Sequence, residues 1–170
     1  MSCLLSAGVT RDCGFQFGGL KTVMLANFEE VSSVDKDADN QITGITMSTG
    51  GTWYEFEYEP NTAQKLEELQ AGAVSRFVNQ TLSMKIANLT QAKKEVIEEL
   101  ANATLSVILQ TQDDIYWMYA EPTLSAGLRA TVLSIDSGTA QADDAAVTIT
   151  LVGGNLGYAN SVEASVAEAL

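Results

Sequence analysis

The chain has 170 residues, of which 46% are apolar, and a formal net charge of −13 from 22 acidic and 9 basic side chains, with no histidine. These values are typical of one globular domain with a sizeable core, and we expect a single domain over residues 1–170. The negative charge excludes the basic patch that nucleic-acid binding requires. Without histidine, Ser-His-Asp and Cys-His catalytic arrangements are excluded as well.

The sequence contains no recognisable catalytic, cofactor or metal site. Cys3 and Cys13 are the only cysteines, and their spacing matches neither a zinc site nor a disulfide framework. Phosphate-binding glycine motifs, a signal-peptide pattern and an apolar run long enough to cross a bilayer are all missing. We therefore expect reduced thiols, no cofactor, no membrane insertion and no enzyme activity. A carboxylate-only or lysine-based enzyme stays open, with nothing in the sequence in its favour.

The first segments of the chain predict an arm followed by a hairpin. Residues 1–18 are glycine-containing and lack a pattern, which indicates an extended N-terminal arm. Residues 18–31 and 41–48 each show spaced apolar side chains of the kind that strands carry. The polar stretch between them predicts a turn, and the whole predicts a β-hairpin.

The turn of this hairpin has the acidic spacing of a calcium loop. Asp35, Asp37 and Asp39 match the first three ligand positions of an EF-hand. However, Asn40 stands where that loop needs glycine, and Thr46 stands where it needs a bidentate glutamate. We interpret the stretch as a solvated acidic turn and expect no specific metal site, with adventitious calcium binding as the open alternative.

Residues 49–60 alternate aromatic and acidic side chains and predict a strand with an aromatic face and a carboxylate face. Carboxylates of a glycosidase must flank the bond from opposite sides, whereas these lie along one edge of one strand. We therefore expect an acidic face toward solvent or a channel. The carboxylates are Glu55, Glu57 and Glu59.

Residues 61–72 carry helix signals. Asn61 or Thr62 can cap the N-terminus, Leu66 and Leu69 have helical spacing, and Gly72 is a typical stop. The pattern predicts a short helix, with an ordered loop as the alternative.

The stretch 81–109 has the strongest pattern in the chain. Residues 81–89 alternate with a period of two, residues 91–102 change to the helical period, and residues 104–109 return to a period of two. We predict a strand, a helix and a strand, with the helix held by packing on a sheet because about three turns are marginal alone. The predicted apolar stripe of the helix is Ala92, Val96, Ile97, Leu100 and Ala101.

Residues 115–121 predict a strand that is apolar on both faces. Such a strand is buried on both sides within its own chain or buried against another subunit. Each of its large side chains is also compatible with an ordinary core position. They are Tyr116, Trp117, Met118 and Tyr119.

Two further strands are predicted over 128–135 and 145–154, joined by a polar loop. The C-terminal extension 156–170 contains a short helix that we predict to start with a capping box at Asn160 and Glu163. Together the patterns predict a β-rich α+β fold. Its architecture is an antiparallel β-sandwich or a partly closed barrel with one helix packed on its side.

The order of three segments resembles the tail tube proteins of tailed bacteriophages. The segments are GGLKTVMLANFEEV, the run from TWYEFEYEPNTA through SRFVNQTLSMKIANLTQAKKEVIEELANATLSVILQTQDDIYWMYAE, and SGTAQADDAAVTITLVGGN, covering most of residues 13–155. The resemblance implies a virion tail protein, assembled in the host cytoplasm, whose copies form homo-oligomeric hexameric rings and whose partners are other tail proteins. Stacked rings make the conduit for DNA ejection, through which DNA passes without specific binding and without catalysis.

The resemblance gives roles to several residues. Glu55, Glu57 and Glu59 are candidates to line the lumen, with a plain outer surface as the competing interpretation. The arm and residues 61–73 are candidates for contact between rings. The candidate subunit-interface residues are Phe28, Trp53, Tyr54, Tyr116, Trp117 and Tyr119.

Two alternatives remain at this point. Residues 120–127 and the C-terminus depart from the tail-tube pattern, which leaves open a head–tail connector or tail terminator ring. A ligand-binding β-sandwich would instead use Trp53, Tyr54, Tyr116 and Trp117 as an aromatic platform.

Overall fold

A computed structural model describes residues 8–9, 17–72, 75–139 and 145–170. The strands are β1 (Leu20–Asn27), β2 (Val31–Lys36), β3 (Ile42–Met47), β4 (Tyr54–Glu55), β5 (Gln64–Ala71), β6 (Arg76–Ala87), β7 (Leu105–Thr111), β8 (Tyr116–Tyr119), β9 (Arg129–Asp136), β10 (Ala146–Asn155) and β11 (Asn160–Val162). The helices are α1 (Gln91–Leu100) and α2 (Ala164–Ala167), and a 3-10 turn spans Phe28–Glu30. Both cysteines and most of the predicted arm lie outside the described residues.

The strands form two sheets. A seven-stranded sheet has the order β2-β3-β11-β8-β7-β1-β4, and a four-stranded sheet has the order β5-β6-β10-β9. The predicted β-rich α+β class is confirmed. Of the two predicted architectures the sandwich is observed, because the described strands stay in two separate sheets and do not close into a barrel.

The main core lies between the two sheets. It is built from alternate side chains of the inner strands, such as Val23 of β1, Leu82 of β6 and Ile149 of β10, each 0% exposed. α1 adds Ile97 and Leu100 to this core. The alternation of apolar residues in 81–89 and 145–154 therefore places one row of each strand in the sandwich and the other row on the surface.

A second core covers the other face of the seven-stranded sheet. Ile108, Met118 and Val162 pack there with Ala167 of α2 and the loop residue Trp53. The strand over 115–121 is therefore buried on both sides within its own chain, the first of the two interpretations given above for this segment.

α1 confirms the predicted helix, with Thr90 as its N-cap accepting a 3.3 Å hydrogen bond from the N–H of Lys93. Its buried stripe is narrower than predicted. Only Ile97 and Leu100 are buried, whereas Ala92, Val96 and Ala101 are exposed. Val96 lies beside an open groove instead of against a sheet.

The predicted helix over 61–72 is wrong, because the segment forms β5. All eight residues of β5 pair with β6, from Gln64 opposite Ser83 to Ala71 opposite Arg76. Pairing with a distant strand outweighs the local helix propensity of this segment.

Two other predicted boundaries are also wrong. The strand over 49–60 is reduced to Tyr54–Glu55, since a glycine turn precedes it and the chain turns again at Pro60 and Asn61. The capping box at the C-terminus is not formed, because Asn160 belongs to β11 and Glu163 caps α2 without a side-chain hydrogen bond.

The predicted turn between residues 31 and 41 is confirmed only in part. Residues up to Lys36, Asp35 included, belong to β2, which forms the hairpin with β3, whereas β1 pairs with β4 and β7.

Residues 37–40 form the exposed turn. The Asp37 carboxylate accepts hydrogen bonds from the backbone N–H groups of Asp39 (2.9 Å) and Gln41 (2.8 Å). Asn40 completes the turn with a left-handed backbone, φ 64°, which asparagine tolerates.

Candidate assembly interface

The four-stranded sheet ends on each side in an eight-residue strand with one partner. β5 pairs with β6, and β9 pairs with β10. In the described part of the chain neither strand has a second neighbour in its sheet. An exposed edge of this length presents backbone N–H and C=O groups that another strand can pair with.

The direction of these two edge strands fits a repeating contact. Each neighbouring pair in the sheet is antiparallel, so β5 and β9, at the two ends of four alternating strands, run in opposite directions. Copies related by rotation about an axis along the strands would therefore present β9 of one copy to β5 of the next in antiparallel order. The ladder would continue from copy to copy without a change of type.

The side chains of both edges leave the core partly open. Ile135 of β9 lies opposite the fully buried Val147, on the core-facing row, and yet is 52% exposed. Leu69 of β5 lies opposite the buried Val78 and is 49% exposed. Residues directly opposite one another share a face of the sheet, so the core-facing row ends in an uncovered apolar side chain at each edge.

The outer face of the four-stranded sheet, defined as the face away from the core, carries hydroxyl, amide and charged groups together with the exposed apolar side chains of Leu66, Phe77 and Val132. Its charged side chains are balanced, two acidic and two basic among the described residues. The face is formed by Gln64, Leu66, Glu68 and Gln70 of β5, Phe77, Asn79, Thr81, Ser83, Lys85 and Ala87 of β6, Ala146, Thr148, Thr150, Val152 and Gly154 of β10, and Arg129, Val132, Ser134 and Asp136 of β9.

Buried hydrogen bonds fix β5 to the rest of the sandwich. Gln80 is 0% exposed, and its amide oxygen accepts from the N–H of Ala120 at 2.9 Å. Its amide nitrogen donates to Glu67 at 3.2 Å, and Glu67 also accepts from the N–H of Ala159 at 2.7 Å. Because buried polar groups are costly unless paired, this network holds the β5 edge in one place.

A buried ion pair holds the same end of the molecule. Glu121 is 1% exposed and lies 2.6 Å from the ammonium of Lys36. Asn160 donates to it at 2.9 Å, and the hydroxyl of Thr123 donates as well. Burial acts to raise the pKa of Glu121, but these hydrogen bonds and the Lys36 charge outweigh it and lower the pKa below 4.5.

Lys65 of β5 is a further contact between the sheets. Its ammonium lies 4.4 Å from the ring centre of Trp117 in β8. Burial lowers the pKa of Lys65, and the charge of Glu67 partly offsets this. A cation over an indole face is a favourable contact, so an edge strand of one sheet is anchored on the other.

An apolar groove lies between α1 and the segment 54–57, with a volume of about 770 Å³. Leu25, Ile86 and Leu105 lie on its floor, and the side chains of Val96 (44% exposed) and Tyr54 (58% exposed) stand at its rim. Apolar side chains that stay open to solvent in a groove mark a contact surface.

Of the three acidic lumen candidates, Glu55 lies in β4 at the edge of the seven-stranded sheet, whereas the N–H of Glu59 donates to the carbonyl of Lys85 in β6 of the other sheet at 2.8 Å. Glu55 and Glu57 are exposed and Glu59 is half-buried. β4 contains only Glu55 of the three, so they do not share one strand face as predicted. Their place in a lumen stays a prediction.

The aromatic interface candidates separate into two groups. Tyr54 is exposed, whereas Phe28 and Trp117 are half-buried. The others are committed to cores of their own chain, and burial raises the pKa of the Tyr119 hydroxyl. The buried candidates are Trp53 (7% exposed), Tyr116 (8%) and Tyr119 (0%).

The four residues of the predicted aromatic platform do not share a surface. Tyr116 packs in the second core, and its neighbour Trp117 packs against the main core on the opposite face of the sheet. Trp53 is buried. A flat ligand could therefore stack on Tyr54 without meeting the others.

Comparisons with known proteins identify no relative: no protein-family model, no curated protein and no solved structure matches the chain. Within the described ranges no helix is long and apolar enough to span a membrane. Across the same ranges no three cysteine or carboxylate side chains are grouped to hold a metal ion.

Proposed function

We propose that this protein is a structural subunit of a phage virion, a tail tube protein whose copies join edge to edge into rings that stack around a DNA conduit. One observation carries the proposal. The four-stranded sheet ends on both sides in a long strand of opposite direction, with an uncovered core-facing side chain at each edge. That the assembly is a stack of rings around a conduit is inferred from the sequence resemblance.

A contact between β9 of one copy and β5 of the next is heterologous, since it uses two different surfaces. Heterologous contacts close into rings when the rotation between copies closes, and they extend into filaments when it does not. In such a ring Leu69 of one copy and Ile135 of its neighbour lie on the same side of one continuous sheet. Both would then be covered, which offsets part of the entropy lost on assembly.

The charge of the chain suits a conduit for DNA. Phosphate contacts by lysine and arginine supply most of the affinity for nucleic acid, and the net charge of −13 opposes them. If the outer face of the four-stranded sheet lines the hole, the wall combines hydroxyls and amides, balanced charges and the apolar side chains of Leu66, Phe77 and Val132. Glu55, Glu57 and Glu59 would then lie elsewhere on the ring, so the two lumen assignments compete.

The remaining parts of the proposal follow from the resemblance. The rings are hexameric and stacked, other tail proteins are the partners, and the protein resides in the virion tail after assembly in the host cytoplasm. A head–tail connector or tail terminator is the second candidate. It would form the same ring through the same edges, but its rings would not lengthen.

Cysteine cross-linking tests the edge contact. We would replace Cys3 and Cys13 by serine and introduce Ser134→Cys on β9 with Glu68→Cys on β5, both on exposed outer-face positions. A second double variant carries Leu66→Cys in place of Glu68→Cys. It tests whether β9 and β5 of neighbouring copies pair in a register shifted by two residues. Mild oxidation should give the double variant a ladder of oligomers that ends in a closed ring, whereas each single variant stays monomeric under denaturing conditions.

A matched control uses Ser83→Cys on the inner strand β6 in place of Ser134→Cys, and it should give no ladder. Dimers from Ser134→Cys alone would show a symmetric contact of β9 with β9 and would overturn the head-to-tail ring. Absence of a ladder with both β5 positions would overturn the edge contact itself.

A further inference from the structure

The groove between α1 and residues 54–57 adjoins an incompletely paired strand. β4 pairs with only Met24 and Leu25 of the eight-residue β1, and the N–H of Phe56 adds one hydrogen bond to Val23. Ala26 and Asn27 of β1 line the groove beyond that point. An extended segment lying in the groove could therefore continue the sheet beside β1 and place alternate side chains on the apolar floor.

We propose that this groove receives the N-terminal arm of a second copy, through residues 1–18 of the stacked neighbour. The proposal rests on the proposed function, because it names the joint between rings. The arm is already a candidate for contact between rings. The groove would be the surface that binds it, with the arm lying as an extended segment beside β1.

The composition of the arm matches the groove. Its apolar residues include Leu4, Leu5, Val9, Phe15 and Phe17, and its only charged side chains are Arg11 and Asp12. The whole formal charge of −13 therefore belongs to the rest of the chain, and two such bodies repel each other. A neutral apolar segment can cross between them without adding to that repulsion.

The described part of the arm is not covered by its own subunit. Val9 is 100% exposed and Phe17 is 76% exposed. Exposed apolar side chains on one segment and an open apolar groove on the same molecule are complementary surfaces.

The positions of arm and groove suit a contact between two copies. The arm joins the body at Leu20, where β1 begins, and the groove lies where β1 ends, at Leu25–Asn27. The separation along the strand is about 20 Å at roughly 3.3 Å per residue. A donor and a receptor at opposite ends of one molecule give a head-to-tail contact that repeats along a stack.

The native arm thiols allow a direct test, since Cys3 and Cys13 are the only cysteines. We would mix the wild-type chain, as arm donor, with an acceptor chain carrying Cys3→Ser, Cys13→Ser and Val96→Cys, and oxidise with oxidised glutathione. The matched acceptor carries Glu98→Cys, which is exposed on the same helix but does not line the groove. Docking should raise the yield of arm-to-acceptor disulfide, read by peptide mass spectrometry, about tenfold at position 96 over position 98.

Equal yields at the two positions would overturn the proposal. So would a link between the arm and position 96 that forms only when the native cysteines and Val96→Cys share one chain, because the arm would then fill its own groove. A second measurement uses Val96→Lys in the full chain, which should give rings that do not lengthen, with Glu98→Lys as the control that still forms tubes. Tubes from Val96→Lys would overturn the arm joint and leave the edge contact standing, whereas monomeric wild-type protein would overturn the proposed function itself.

Discussion

The two sheets of this molecule use their apolar residues in different ways. β7 of the seven-stranded sheet is buried at six of its seven positions, because the main core covers one face and the second core covers the other. β9 of the four-stranded sheet contains no buried residue along its eight positions. Both faces of the seven-stranded sheet are covered by its own chain, whereas the four-stranded sheet keeps one bare face and ends on both sides in an eight-residue edge strand. The difference makes the four-stranded sheet the better candidate for the proposed contact between copies within a ring.

The largest expected effect on the free energy of unfolding comes from a comparison of two isoleucines, one in each sheet. Ile108→Ala in β7 removes a side chain that is 0% exposed and should lower the free energy of unfolding by about 4 kcal/mol. Ile135→Ala in β9 removes one that is 52% exposed and should lower it by about 1 kcal/mol or less. Urea denaturation under conditions that keep the protein monomeric measures both, and equal losses would contradict the difference between the sheets.

The next effect concerns the buried ion pair of Glu121 with Lys36. Glu121→Gln leaves the lysine without its partner and should lower the free energy of unfolding by about 3 kcal/mol. The pKa of Glu121 is lowered in the folded state. Its stabilisation is therefore fully present above the ordinary value of 4.5 and is lost as pH falls through the folded-state pKa.

Denaturation curves at several pH values test whether the stabilisation by Glu121 is lost as the pH falls. The wild type should lose its advantage over Glu121→Gln as the solution is acidified below about pH 4.5. An advantage that grows on acidification would show that the carboxylate is not stabilised in its charged form.

A smaller effect on stability should come with a large effect on assembly. Val132→Lys together with Ile135→Lys places two ammonium groups on the β9 edge, a substitution that blocks edge-to-edge pairing. Because both positions are half-exposed, the free energy of unfolding should change by about 0.5 kcal/mol. Sedimentation velocity should show that the variant stays monomeric where the wild type assembles.

The control for this variant is Thr46→Lys, at an exposed position on the inner strand β3 of the other sheet. It should assemble as the wild type does. Assembly of the β9 variant at the wild-type concentration would place the contact on another surface.

The smallest effect on stability is expected from breaking the exposed ion pair of Lys21 with Asp114. Its 2.6 Å separation equals that of the Lys36–Glu121 pair, but its side chains are 54% and 67% exposed. Solvent screening removes most of the value of such pairs. Asp114→Asn should leave the urea midpoint unchanged within error, and a shift as large as that of Glu121→Gln would show that burial is not what separates the two pairs.

Much of the fold could be predicted from periodicity because the main core imposes it. The strands of 81–89 and 145–154 and the helix at 91–102 each bury one regular row of side chains, and their patterns change where the structure changes. Burial of the strand over 115–121 on both faces could also be predicted, because neither face of the strand carries a row of polar side chains.

The segment that became β5 shows the limit of local patterns. Leu66 and Leu69 are three residues apart and fit one helix face, but in the strand they point to opposite faces. The choice between the two depends on β6, which lies later in the chain. The charged residues Lys65, Glu67 and Glu68 are of the kind that edge strands carry, and they were the available signal for an edge.

The residues of the candidate interface cannot be predicted from residue type. Large aromatic residues are enriched at subunit interfaces and in cores alike, and Trp53, Tyr116 and Tyr119 lie in the cores. The edge residues Leu69 and Ile135 are recognised only from the pairing of the strands, which places them on the core-facing row and leaves them open. The groove likewise depends on how α1 lies against β1 and has no local signature.

Negative-stain electron microscopy of the purified full-length protein, over a range of concentrations, tests the central claim most directly. Edge pairing of the four-stranded sheet predicts closed rings with a central hole that lengthen into hollow tubes as concentration rises. A uniform field of single subunits at the highest concentration would contradict it, because the open edges would then have no partner of their own kind.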